Sequence, residues 1–450
     1  MTTRCTNLSV RRYLVIAALG LLCATGTAHA MDARQHIAQA KTLIEQQRYS
    51  FARSYLNPAV IAPFLSRGER AHAYYLRGFS FAAQDMHVSA LRDYNRALEF
   101  DPDNATVLAE IGFAHAFGRG TTQDKALAFS FFEQAANRDH AEGHFQLGYA
   151  LLNGSGTDKN VPAAREALSK AAAAGHNYAM LTLASSYRAP HVVEPQVELA
   201  RQWYERAYAA GVSRALWFLG YMHANGEFGD VDHTQAVEYY QRALEEGVAV
   251  AGVSLAYAYL VGQGVTQDHA RAFTLYHEAA EAQLSTGQVG LGHMYEHGLG
   301  VDSDLQQAQR WYVAAAEAGD LTAMRRLVAL YLAQPDKEPR SQALQWSARA
   351  AESGSAQAQN DYAWLLATSK FAELRNGTLA LSTAKAAVSQ QPSAAFLDTL
   401  AAAYAELGNF DLAVTTQQQA IAAVAVDQIN LRDELEQRLQ RYLASEPWRE

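Results

Sequence analysis

A step of 36 residues carries Gly112 onto Gly148, Ala184, Gly220, Ala256 and Gly292. The same step takes Ala128 through Ala164, Ala200, Ala236, Ala272 and Ala308, and Ala135 through Ala171, Ala207, Ala243, Ala279 and Ala315. Phe132 maps onto Leu168, Tyr204, Tyr240, Tyr276 and Tyr312. Six copies therefore fill residues 105–320, and a seventh, one residue shorter, follows with Ala343, Trp346 and Ala350. A chain that keeps such a register folds as an array, because one helix hairpin cannot bury its apolar side alone. Small residues recur where neighbouring helix backbones approach closely, and large rings fill the spaces between. Gly118 and Gly120, Gly154 and Gly156, Gly262 and Gly264, and Gly298 and Gly300 mark the turn within a hairpin. There glycine ends the first helix and supplies a positive φ.

The first thirty residues do not belong to the array. Arg4, Arg11 and Arg12 precede the short apolar run Tyr13–Gly26, and Ala28-His29-Ala30 offers a small-x-small cleavage site. This is the pattern of a secretory signal peptide, cleaved near Ala30, and the run is short for a membrane span. Lipoprotein processing at Cys23 is the competing reading, which Leu22 disfavours at the position before the cysteine. Both cysteines, Cys5 and Cys23, lie in the leader, so the exported chain has neither disulfides nor thiolate chemistry. Cleavage also removes three arginines and no acid, taking the net charge from −9 to −12, a poor surface for nucleic acid. No transmembrane segment is expected in the mature chain.

Residues 71–104 carry Tyr74, Gly78, Phe81, Ala90, Tyr94, Ala97 and Pro102, which resembles the tetratricopeptide repeat pattern. The 36-residue units resemble the related Sel1-like repeat, in which the turn within the hairpin is longer. Gly78 to Ala90 spans 12 residues, whereas Gly112 to Ala128 spans 16. The copy at 177–212 departs most, with Pro190 and Val192 at glycine positions. Residues 394–427 again resemble a tetratricopeptide repeat, with Tyr404, Gly408, Phe410, Ala413 and Ala420, and residues 33–70 and 356–393 resemble degenerate copies. The closing segment Gln428–Leu443 reads as a polar-faced capping helix. The resemblance implies an all-α, right-handed α-solenoid of helix hairpins. Its expected organisation is a leader at 1–30, tetratricopeptide-like repeats at 31–104, a Sel1-like array at 105–355, and tetratricopeptide-like repeats with a cap at 356–450.

One stretch suggests chemistry. His293-Met294-Tyr295-Glu296-His297 is an H-x-x-E-H string, the inverted zinc-peptidase signature. In the family register the first helix of each hairpin lines a groove through its second, fifth, ninth, twelfth and thirteenth residues. His293, Glu296 and His297 all fall on that face, which makes a metal reading geometrically possible. The matching positions of the adjoining copies hold Val250, Val253, Tyr257, Leu260 and Val261, and Thr322, Arg325, Ala329, Leu332 and Ala333. None supplies the third protein ligand that a catalytic zinc needs, and Arg325 would repel a cation. Gly292, Tyr295, Gly298 and Gly300 are repeat consensus. The expectation is therefore no metal, no cofactor and no enzyme. No nucleophile elbow appears, and "GSGTDK" at Gly154 occupies a repeat turn. His115 and His223 fall in the consensus tyrosine slot and are expected to pack.

The groove register also collects aromatics: Phe79, Phe113, Tyr149, Tyr221 and Tyr257 at the ninth position, Tyr75, Phe145 and Trp217 at the fifth, and Phe117 at the thirteenth. Such a stripe suits a partner segment. Alternatively it wedges neighbouring helices together, as aromatics at helical spacing commonly do. The resemblance implies an exported, non-enzymatic scaffold gripping an envelope or secreted protein or peptide, since exported relatives serve alginate export, a flagellar motor and sensor-kinase inhibition. The alternative is a polysaccharide- or peptidoglycan-binding or -modifying protein.

Overall fold

The computed structural model describes residues 32–188, 196–425 and 428–450, and every long regular element among them is an α-helix. The leader and the Pro190–Val192 turn lie outside the described residues. By its contacts the chain divides into two compact units within the array. The first runs to Met222 and takes in Glu227–Asp230; the second comprises His223–Gly226 and Val231–Glu450. Within each unit helices pack antiparallel against their sequence neighbours. First helices of successive hairpins also meet, as Ala105–Phe117 does with Ala141–Asn153 and Ala249–Val261 with Ser285–His297.

One hairpin shows how the sequence sets the geometry. His140 caps the helix Ala141–Asn153 by accepting the Gly143 amide. That helix ends on Gly154 in the left-handed region, with φ of 71°, and the Gly154 amide bonds the Ala150 carbonyl. Asn160 caps the partner helix Val161–Ala173 by accepting from the Ala163 amide, while its own N–H reaches back to the Leu151 carbonyl. Asp124, Asp268 and Asp304 repeat both bonds, so the caps close the turns as well as starting the helices.

The second glycine of each turn has a different task. A Cβ on Gly156 would lie 2.0 Å from the Lys125 carbonyl oxygen, at the start of the preceding repeat's second helix. Gly264 meets His233 and Gly300 meets His269 in the same way. The first glycine turns the chain; the second lets one repeat rest on the backbone of the last.

Inside the hairpin, small and large residues interlock. A Cβ on Gly112 would fall 2.6 Å from the Phe132 ring, and one on Gly292 would fall 2.8 Å from Tyr312. Phe132, Leu168, Tyr204, Tyr240, Tyr276 and Tyr312 are all buried. Each contributes about 1.5–3 kcal/mol of burial.

The flanking hairpins use other devices. A capping box of Ser66 and Glu69 starts the helix Arg67–Ala82. Arg77 then holds the buried Asp93 with two bonds of 2.6 and 2.8 Å. At the far end Leu435 and Tyr442 anchor the helix Ile429–Leu443 on the repeats. The last residues fold back: the Glu450 amide bonds the Thr368 carbonyl, and the Lys370 amide bonds the Glu450 carbonyl.

Candidate functional site

The structure sorts the aromatic stripe into two kinds of residue. In the first unit Tyr75 stacks on Tyr94, Phe79 meets Tyr49 edge-on, and Phe113 meets Phe132 edge-on at 5.3 Å. Phe145 stacks at 4.3 Å on His176, the cap of the next first helix. Trp217 packs on Phe218 at 4.8 Å. All five rings are half-buried; Tyr75, Phe79, Phe113 and Phe145 tie neighbouring elements together, the wedge role left open by the sequence, whereas Trp217 packs on the next residue of its own helix. Phe117, Tyr149 and Tyr221 differ: they are 62, 50 and 41 % exposed. In the second unit Tyr257 is 52 % exposed.

The exposed rings rest on the packed ones. Phe117 lies over Phe113, Tyr149 beside Phe145 and Tyr221 beside Trp217, each one helical turn on, with centroids 6.4, 6.3 and 5.9 Å apart. Phe117 and Tyr149, from consecutive repeats, line one cleft of about 520 Å³ with the amides Gln123, Gln146 and Asn153. The Arg188 guanidinium lies 5.1 Å over the Tyr221 ring and is held there by Glu227.

The second unit contains a larger cavity, of about 730 Å³, that the stripe does not predict. Thr322, Arg325, Ala329 and Leu332 line it, all of them groove-register positions of the helix Leu321–Leu332. Its far wall is Asn360, Trp364, Asp398, Arg438 and the folded-back Glu450. The Asn360 amide oxygen is buried without a hydrogen-bond partner, and the residue is 7 % exposed. Arg438 lies between Trp364 and Trp448 at 5.0 and 5.4 Å and pairs with Asp398 at 2.8 Å. Burial outweighs that pairing and the Gln417 bond, pushing the Asp398 carboxyl up to about 6. The groove register extended one hairpin further, across the shorter seventh copy, points to Asn360 and Trp364 on the helix Ala356–Thr368, both of which line the cavity. Nothing local in the sequence signals that the chain's last residues close it.

His293, Glu296 and His297 come together as their spacing predicts. Their ligand atoms all lie within 4.8 Å of one another, and the imidazoles meet edge-on at 4.3 Å. The Tyr312 hydroxyl donates to Glu296 at 2.7 Å. Burial, then His297 and Arg326, push His293 below the usual histidine range. Arg326 follows the groove-register residue Arg325 on the same helix, and both line the cavity. His115 and His223 are half-buried and stack on Phe131 and Tyr239, the packing role expected of that slot.

A stack of helix hairpins that presents side chains at a fixed register, with clefts between the helices, defines a helical-repeat interaction scaffold. The Sel1 repeat pattern matches residues 107–140, 141–176, 178–212, 213–248, 252–284, 285–320 and 334–355, more than half of the chain, and the chain belongs to that family. Its fold is that of protein–protein interaction modules and is generally non-enzymatic. Among solved structures, a protective antigen of uropathogenic Escherichia coli displaying an SLR fold is 22 % identical, with 93 % of each chain covered and a TM-score of 0.48. A Sel1 repeat protein from Oxalobacter formigenes is 26 % identical over 54 % of this chain and 96 % of that one, with a TM-score of 0.47. Yeast Tom70 is 13 % identical over 92 and 96 %, with a TM-score of 0.38. No curated protein matches the chain in sequence. No helix among the described residues is long and apolar enough to cross a membrane.

Proposed function

We propose that this protein is an exported scaffold that holds an extended segment of an envelope or secreted protein along its groove-register face. The observation that carries this reading is the cleft shared by Phe117 and Tyr149, where exposed rings of consecutive repeats stand beside side-chain amides. Rings give contact area at little entropic cost, and amides can pair with the backbone of an extended chain. Tyr221 and Tyr257 continue the same register in their own repeats. Export rests on the basic, apolar and small-residue pattern ahead of Ala30, and places the working chain in the periplasm or outside the cell.

The test is photocross-linking in living cells, with a reactive amino acid at Tyr149 and at Tyr221 and a control at Lys170 on a second helix. One dominant protein captured at both sites and not at Lys170 supports the scaffold. Folded, expressed protein that gives no protein adduct at either site turns the reading toward polysaccharide stacked on Trp217 and Tyr221, whose rings lie 5.9 Å apart.

A further inference from the structure

We propose that His293, Glu296 and His297 bind one divalent transition-metal ion of the zinc, nickel or copper class. The inference is independent of any partner in the groove. All three side chains leave one face of the last turn and a half of the helix Ser285–His297. A metal with bonds of about 2.0–2.2 Å holds its ligands roughly 3–4 Å apart. The three ligand atoms here lie within 4.8 Å of one another, so small side-chain rotations complete the set. Two imidazoles and one carboxylate select borderline cations over calcium or magnesium, which prefer all-oxygen sites.

Two further observations point to a ligand. The Nδ1 of His293 is buried and has no hydrogen-bond partner, leaving a polar atom of the cluster unused. The carboxylate is also oriented from behind: the fully buried Tyr312 donates its hydroxyl to one Glu296 oxygen at 2.7 Å, which leaves the other for a cation. This is how outer-sphere groups fix metal ligands. The helix itself is held firmly at this point, with Leu291 and Met294 fully buried and Gly298 closing its end in the left-handed conformation. Arg326 opposes the site electrostatically, but the residue is exposed, so its guanidinium can turn toward solvent. Three protein ligands leave a coordination position open for water or for a donor from a bound partner.

The experiment is a cobalt(II) titration of the full chain, purified without a histidine tag, followed by visible absorption and then displaced with zinc. The expected result is one equivalent bound with the intense bands of a low-coordinate nitrogen–oxygen site. Affinity should fall at least about tenfold in His297→Ala and His293→Ala, and by about tenfold in Tyr312→Phe, the usual scale for an outer-sphere partner. Arg326→Ala should bind more tightly. His297 is exposed, so its variant keeps the test valid even if His293→Ala disturbs the fold. The proposal is overturned if the parent chain binds neither metal more tightly than about 100 μM, or if both histidine variants bind as the parent does, which would assign the ion to other histidines.

Discussion

The ring of Phe132 occupies the space that a side chain on Gly112 would need, with its nearest carbon 2.6 Å from where a Cβ would stand. Glycine here is a packing residue inside a helix, chosen for the volume it leaves and not for a special φ. Gly112→Ala should destabilise the first unit by about 1–3 kcal/mol, the scale of overpacking in a tight core. Phe132→Ala alone should cost about 3–5 kcal/mol. The double variant should cost less than their sum, measured by urea denaturation as a double-mutant cycle. Strict additivity would show that the two positions do not share one space.

Gly156 and Gly211 separate two uses of glycine. Both have positive φ, 75° and 87°, but a Cβ on Gly211 meets nothing within 4 Å. Gly211→Ala should cost only the left-handed conformation, about 1 kcal/mol. Gly156→Ala must also push the Lys125 backbone away and should cost at least about 2 kcal/mol more. Equal losses in thermal or chemical denaturation would remove the inter-repeat contact from the account.

The stripe should divide by burial. Phe113→Ala removes a half-buried wedge and is expected to cost about 2 kcal/mol, whereas Tyr149→Ala should stay within about 0.5 kcal/mol. Partner capture should follow the reverse order, with Tyr149→Ala losing it while circular dichroism is unchanged. Capture that survives Tyr149→Ala and Tyr221→Ala together would leave the exposed rings without a binding role.

Asp398 sets a pH dependence on the second unit. Its carboxyl is raised from 3.8 to about 6 because burial penalises the anion. The folded state therefore holds this proton more tightly than the unfolded chain. The stabilisation is fully present below pH 4 and is lost as pH rises through about 6, by roughly 3 kcal/mol at most. Comparing parent and Asp398→Asn by denaturation between pH 4 and 7 cancels the other acids. Parent stability should fall relative to the variant as pH rises; a rise would mean that Arg438 dominates the pair.

What could be read from the sequence is what the period repeats. The 36-residue register fixes the places of Gly154, Gly156 and Leu168, because each copy must meet its neighbour in the same way. The i, i+3, i+4 spacing of His293, Glu296 and His297 likewise puts them on one helix face. The register could not say which rings are wedges, since that depends on the neighbouring helix: Phe145 is covered by His176, whereas Tyr149, one turn on, is not. It could not supply the closing wall of the cavity either. The Trp364 indole donates at 3.0 Å to Glu450, 86 residues further along the chain, and no period connects them.

The contact of the second turn glycine has a consequence for how such a chain can change length. Gly156, Gly264 and Gly300 each rest on the backbone carbonyl thirty-one residues earlier, whatever side chain that residue carries: Lys125, His233 or His269. A seam made of backbone atoms is indifferent to which copy lies on either side of it. Recombination that inserts or removes a whole unit of 36 residues therefore regenerates the seam. Array length is then a heritable variable that can drift without a new interface having to evolve.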